Sequence, residues 1–359
     1  MATAGERPGG SGGGADGTGG TGGAAGAPFL AWLRSRGGFV HADIDLFADM
    51  GGGDRGVVAR ADIAKGENLV IVPTDCCMHL PADESDLSDP APRAARHLVT
   101  SSPRPSPFLG SVLMVMSELA AGRDSPFSDY LAALPDDVNC VLGWSQAEKD
   151  ELKGTTIDDS TQRSAGEAYA SEVAPRVAAR PDLWPPAAAA SAERAAPAGT
   201  KTAGGSGGLD GLREFLRVAS LVQSRAFHME AQNWITGVRE EGTELFLIPA
   251  IDMINHSTDP ARRNTSLHKF DVRMEVEVDG RNVVFDAFFA MKADRDIRAG
   301  EQVLHTYGDL SDAQLVQTYG FVDLGPGGDP GMSDRCVGIM PSWCRRTGLS
   351  TWDLEATQV

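Results

Sequence analysis

The sequence is short of positive charge. Thirty-two Lys and Arg residues face 50 Asp and Glu, for a formal net charge of -18. Nucleic-acid binding depends on basic charge beside the phosphates, so this balance argues against a nucleic-acid partner and leaves room for a basic protein partner. Cysteine is scarce: five residues, at 76, 77, 140, 336 and 344, with no Cys-x-x-Cys spacing. The close pairs that build a tetrahedral zinc site are missing, and reduced core thiols in an intracellular protein are the expectation. No apolar run reaches the roughly 18 residues of a membrane span. Residues 1–27 hold one basic residue, Arg7, two acids, Glu6 and Asp16, and no apolar stretch, which is not the pattern of a secretory or transit peptide. Several catalytic signatures are also missing. There is no Gly-x-Ser-x-Gly elbow and no His-Glu-x-x-His. The run Gly51-Gly52-Gly53-Asp54-Arg55-Gly56 leads into a strand and carries no Gly-Lys-Ser/Thr, so it fits neither a dinucleotide fingerprint nor a phosphate loop.

What the chain does have is 42% hydrophobic residues over 359 positions, enough for one large catalytic unit or two modest domains. Its glycine and proline cluster. Residues 1–27 read as a disordered Gly-rich tail, and 185–208, inside a loop of about 180–209, read as a flexible low-complexity insertion. Between these, the spacing of apolar residues predicts helices over 29–37, 108–122, 125–135, 210–229 and 310–321, the last ending near Gly320. Strands are expected at GVVAR (56–60), NLVIVP (68–73) and from 244 toward 256. A hairpin is expected from 267–278 and 281–291 about the Asp279–Gly280 turn. The segments ADIAKGENLVIVP (61–73) and RDIRAGEQVLHTY (295–307) share the form Asp-Ile-x-x-Gly-Glu followed by an apolar strand. That echo suggests small sheets rather than one parallel doubly wound sheet, though common turn chemistry also accounts for it.

Three clusters carry chemistry. Asp252, Asn255, His256 and Ser257 follow an apolar strand, a place suited to presenting donors and acceptors to a ligand. A capped strand end with a satisfied histidine is the other reading. Two of the four tyrosines fall in Tyr307-Gly308 and Tyr319-Gly320-Phe321; they can orient an amine or face a cation, or serve as core aromatics. The glycines of 51–56 allow a backbone to approach a ligand closely. Asp252 and His256 are four apart, but on a strand end and turn that spacing is a weak metal signal.

In their order and wording these pieces resemble the SET-domain methyltransferases, in the branch that includes the Rubisco large-subunit lysine and actin-histidine methyltransferases. The resemblance rests on DRGVVARADIAKGENLVIVP (54–73), SRAFHM (224–229), DMINHS (252–257) and HTYGDLSDAQLVQTYGF (305–321). It implies an α+β fold of small β-sheets with knot-like C-terminal threading. A catalytic domain would occupy 28–325, with a helical insert over about 109–243. Residues 326–359 would be a short remnant of, or replacement for, the helical C-terminal domain such proteins carry. The implied cofactor is S-adenosylmethionine. Asp54 and Arg55 would offer it backbone groups, Arg225 would hold its carboxylate, and Asn255 and His256 would take its amino group and adenine edge, with Phe321 beside the ring. Tyr307 and Tyr319 would be the catalytic pair lining the transfer channel. Asp252 and Tyr307 would serve the substrate side, with no metal. The implied activity is methyl transfer to lysine in a protein; the alternatives are a protein-histidine methyltransferase and a non-catalytic interaction module. A monomer in cytoplasm or nucleus is expected, with the chloroplast also allowed.

Overall fold

The computed structural model describes residues 22–51, 54–136, 138–153, 155, 157, 165–185, 207–232, 239–278 and 280–323. The helices are α1 Gly22–Ser35, α2 Ala95–Thr100, α3 Pro107–Ala121, α4 Ser128–Ala133, α5 Gln146–Asp150, α6 Ala174–Ala179, α7 Gly207–Arg225 and α8 Asp312–Tyr319. The strands before α7 are β1 Phe39–Val40, β2 Ile44–Gly51, β3 Asp54–Ala59, β4 Asn68–Pro73 and β5 Met78–His79. Those after it are β6 Phe227–Gln232, β7 Arg239–Leu247, β8 Asn255–His256, β9 Thr265–Phe270, β10 Met274–Val278, β11 Arg281–Phe285, β12 Phe288–Ala293 and β13 Leu304–His305. Among the described residues no helix is long and apolar enough to cross a membrane.

The strands form small sheets. One has the order β1-β4-β12-β9, another β5-β7-β6, and three are pairs: β2-β3, β10-β11 and β13-β8. Leu69, Val70, Ile71 and Val72 of β4 are all buried, so this strand is covered on both faces and reads as a continuous apolar run. The two echo segments meet. Ile63 and Ile297 exchange backbone hydrogen bonds at 2.8 and 2.9 Å. The carboxylate of Asp62 accepts from Ala299 N at 2.8 Å, and that of Asp296 accepts from Lys65 N at 2.9 Å. Each turn thus closes the other.

Helix α3 starts behind Ser106, whose hydroxyl accepts from Leu109 N, and carries Pro107 in its first turn, where a missing N–H costs nothing. It is buried on most sides, and α7 packs against it. Helix α8 is closed at one end by the reciprocal Ser311–Gln314 capping box and at the other by Gly320 at φ 77°. A Cβ at Gly320 would fall 1.4 Å from the carbonyl oxygen of Asn139, so only glycine lets α8 dock there.

Several elements differ from the sequence reading. The first helix begins at Gly22 rather than at 29, inside the segment read as tail; Gly26 fits directly against Phe47, a contact that local composition does not reveal. The helix expected over 210–229 ends at Arg225, and Phe227–Gln232 pairs with β7 instead. Sheet pairing there overrides helical periodicity, and the insert ends in strands rather than helix. The loop of about 180–209 is shorter than expected. Leu183 and Trp184 are buried, with the indole donating to Leu113 O at 2.9 Å, and α7 begins at Gly207. Each long strand of the expected hairpin divides in two, so that β10-β11 extends beyond the β9-β12 ladder. Strand β2 had no signal in the reading. Most of the tail 1–27, the low-complexity core 186–206 and the segment 326–359 lie outside the described residues, as do Cys336 and Cys344. Cys76, Cys77 and Cys140 are free and buried, and burial pushes the Cys76 thiol to about 11.

Candidate active site

Two short strands bring the motifs together. β8 and β13 pair in parallel, Leu304 beside Asn255 and His305 beside His256. The chain enters β8 through a tight turn in which Ala250 holds φ 69°, a costly conformation for a residue with a Cβ and one concentrated at functional sites. That turn sets Asp252 inward and Asn255 outward toward β3. Asn255 Nδ2 donates to the carbonyl of Arg55 at 2.9 Å, joining the opening and the later motif. Asp54 is exposed at the start of β3 and joins the group through its neighbour Arg55 only.

On β13 and beyond, Tyr307 N donates to His256 Nδ1 at 2.9 Å, and Tyr307 Oη donates to Ile254 O at 3.0 Å. The Tyr307 ring lies 5.1 Å from His256 and 4.7 Å from Tyr319; Phe321 is 6.1 Å from Tyr319 and 6.5 Å from His256. Asp323 latches this segment back onto β8. It accepts from Ser257 Oγ and Thr258 N, both at 2.8 Å, and from Arg262 at 2.7 Å. Every residue named from the motifs except Asp54 is therefore tied by a contact to this one neighbourhood. A cavity of about 280 Å³ opens within it, lined by Ser224, Arg225, Phe227, Asp252, Tyr307 and Tyr319 among others.

Burial dominates the electrostatics of this neighbourhood. Burial raises the Asp252 carboxyl, while Arg225 and the Tyr130 hydroxyl partly offset it. Arg225 donates to the Asp252 carbonyl at 2.9 Å and lies 3.6 Å from its Oδ2. Burial lowers His256, with Arg263 adding to the effect, and lowers His305 to about 4. Both rings are neutral at pH 7. Because His256 Nδ1 accepts from a backbone N–H, its proton sits on Nε2. Burial also raises the Tyr307 hydroxyl, which stays protonated. Four buried polar atoms here lack a hydrogen-bond partner among the described residues: Arg225 Nε, Asp252 Oδ1, His256 Nε2 and His305 Nε2. Buried polar groups are rarely left so. One guanidinium N–H, two imidazole nitrogens, a carboxylate oxygen and an aromatic wall suit a ligand bearing carboxylate, amino and heteroaromatic groups, as S-adenosylmethionine does.

Two participants escaped the sequence reading. Tyr130 in α4 donates to Asp252 Oδ2 at 2.8 Å across 122 residues, and His305 lines the cavity between Phe227 and Tyr307. Tyr130 sits in no motif, whereas His305 opens the HTYG motif itself and was signalled only by its place beside Tyr307.

Compared with known families, residues 54–308 match the SET domain model. The chain belongs to the SET-domain family. Its α+β architecture of small, mostly antiparallel sheets is that of the SET fold. Among curated relatives, a pea chloroplast protein named for N-methylation of the Rubisco large subunit is 23% identical over 82% of this chain and 51% of its own length. An Arabidopsis chloroplast protein named for lysine methylation of fructose-bisphosphate aldolase is 26% identical over 83% of this chain and 52% of its own. Zebrafish N-lysine methyltransferase setd6 is 23% identical over 83% and 57%. The chain thus spans about half the length of these relatives. A solved SET domain of LSMT, bound to lysine and AdoHcy, superposes with a TM-score of 0.53 at 22% identity, covering 84% of this chain and 57% of that one. A Rubisco LSMT structure with AdoMet gives 0.52 at 21%, with the same coverage.

Proposed function

We propose that this SET-domain protein transfers a methyl group from S-adenosylmethionine to the side-chain amine of lysine in a protein substrate. The observation that carries the reading is the set of buried polar atoms of Arg225, Asp252 and His305 without a partner among the described residues, which line the cavity walled by Tyr307 and Tyr319, with His256 Nε2 likewise unpartnered beside Tyr307. The relatives' names and the lysine-bound and AdoMet-bound LSMT structures support the same chemistry.

When bound, S-adenosylmethionine supplies a sulfonium methyl group open to attack by a neutral amine. Arg225 would hold its carboxylate, Asn255 and the His256 Nε2–H its polar edges, and Phe321 its ring. The chain's own part is alignment and exclusion of water, because in-line transfer needs little acid–base machinery. Tyr307 directs its proton to Ile254 O, which leaves hydroxyl lone pairs for an amine N–H or a developing positive charge. Asp252 Oδ1 provides a negative group for a cationic side chain. A net charge of -18 favours a basic protein surface as the substrate.

Calorimetry with S-adenosylmethionine and S-adenosylhomocysteine tests the cofactor: heat of binding is expected, and folded protein that binds neither would sink the reading. Methyl-labelled cofactor with a native cell extract, followed by mass-spectrometric mapping, tests the acceptor. Label on lysine is expected. Label on histidine alone would move the acceptor to imidazole, and label confined to nucleic acid or small molecules would overturn protein methylation.

A further inference from the structure

Asp252 is a fully buried carboxylate whose two oxygens are treated differently. Oδ2 accepts from Tyr130 at 2.8 Å and lies 3.6 Å from Arg225, whereas Oδ1 has no partner among the described residues. Tyr130 is itself fully buried and fixed from the far side. Its ring stacks on Trp32 at 6.2 Å with planes 14° apart, and Phe29 lies 6.2 Å away. Trp32 is pinned in turn, its indole N–H donating to Pro126 O at 2.8 Å. The hydroxyl that meets Asp252 is thus positioned by α1, which lies before the stretch that matches the SET domain model.

We propose that Tyr130 is a positioning residue: its hydroxyl bonds the charged form of Asp252 and turns the carboxylate so that Oδ1 remains free for a cationic group in the cavity. The proposal rests on Asp252 belonging to the ligand site. A buried carboxylate tends to take up a proton, and each donor to the charged form opposes this, charge-assisted donors most. The groups facing Asp252 are Tyr130 from α4, Arg225 from α7, Arg55 from β3, Cys77, and Tyr307 beyond β13. Of these, Tyr130 alone gives a short hydrogen bond to the carboxylate. Burial holds the phenol protonated, so it remains a donor throughout the working pH range. Without that bond Oδ2 is held only by Arg225 at 3.6 Å, so the carboxylate is less firmly oriented and its proton affinity rises.

The test is a pH titration of carboxyl-labelled aspartate by carbon-13 NMR, with the Asp252 signal assigned through Asp252→Asn. In Tyr130→Phe, which keeps the ring and its stacks, the Asp252 midpoint is expected to move to higher pH. An unmoved midpoint would overturn the proposal. Trp32→Phe, which loosens the ring but keeps the hydroxyl, should shift it less and in the same direction. Calorimetry with L-lysine in the presence of S-adenosylhomocysteine gives the second readout. Tyr130→Phe should lose roughly tenfold in lysine affinity at pH 7 while holding S-adenosylhomocysteine within about twofold. Unchanged lysine affinity would remove the orienting role. If S-adenosylhomocysteine fails to bind the wild type, the functional reading falls, and the NMR midpoint still decides what Tyr130 does to Asp252.

Discussion

Asn255 commits its amide donor to the carbonyl of Arg55, 200 positions earlier, so it fastens two motifs in addition to the cofactor contact proposed for it. Asn255→Ala should therefore weaken S-adenosylhomocysteine binding by about tenfold or more, read by calorimetry. Tyr307→Phe removes the donor to Ile254 O and, with it, the hydroxyl lone pairs that the proposed transfer uses. It should hold cofactor affinity within about twofold and slow methyl transfer at least about tenfold. Equal loss of affinity in the two variants would show that the two sides of the site are assigned wrongly. That Asn255, His256, Tyr307, Tyr319 and Phe321 cluster was legible because unusual polar and aromatic residues stand beside each other in short motifs. Tyr130 was not, because a tyrosine in a short apolar helix looks like any core residue. Its meaning lies in a partner 122 positions away.

Helix α8 and its continuation are held by a backbone fit and a charge. Gly320→Ala must displace the Asn139 carbonyl, against which a Cβ has no room, and must hold φ 77°. A loss of roughly 3 kcal/mol or more is expected, seen as an earlier urea midpoint; a variant as stable as the wild type would refute the docking geometry. Asp323→Asn weakens the latch to Ser257, Thr258 and Arg262 and should cost about 1–3 kcal/mol. Such elements were readable where local signals agree: Ser106 and Pro107 open α3, Gly320 closes α8, and Gly280, at φ 69°, leads into β11. They were misread where pairing partners decide. Phe227 follows a helical pattern in sequence but pairs with Phe246 in β7, and β2 exists because β3 is beside it.

For the molecule as a whole, the buried histidines add an acid sensitivity that begins above the carboxylate range. His305 is depressed to about 4, so the folded state binds fewer protons than the unfolded chain between there and the ordinary value near 6.5. The stability it contributes is complete above about pH 6.5 and is lost as pH falls toward 4, amounting to about 3 kcal/mol. His256 is lowered and adds in the same sense, whereas Asp252, raised by burial, opposes the loss at the acid end. Thermal scans should show the melting temperature falling from pH 6.5 to 4.5, with a shallower slope in His305→Leu. A slope unchanged by that substitution would place the acid sensitivity elsewhere. The paired turns around Ile63 and Ile297 have a consequence in time. Asp62 meets Ala299 across 237 positions and Lys65 meets Asp296 across 231. During synthesis the first of these turns emerges long before its partner exists. Its strand edges stay open to other chains for most of translation, and loop closure over such a distance is slow. This pair of turns can therefore close only after the chain past Ala299 has emerged.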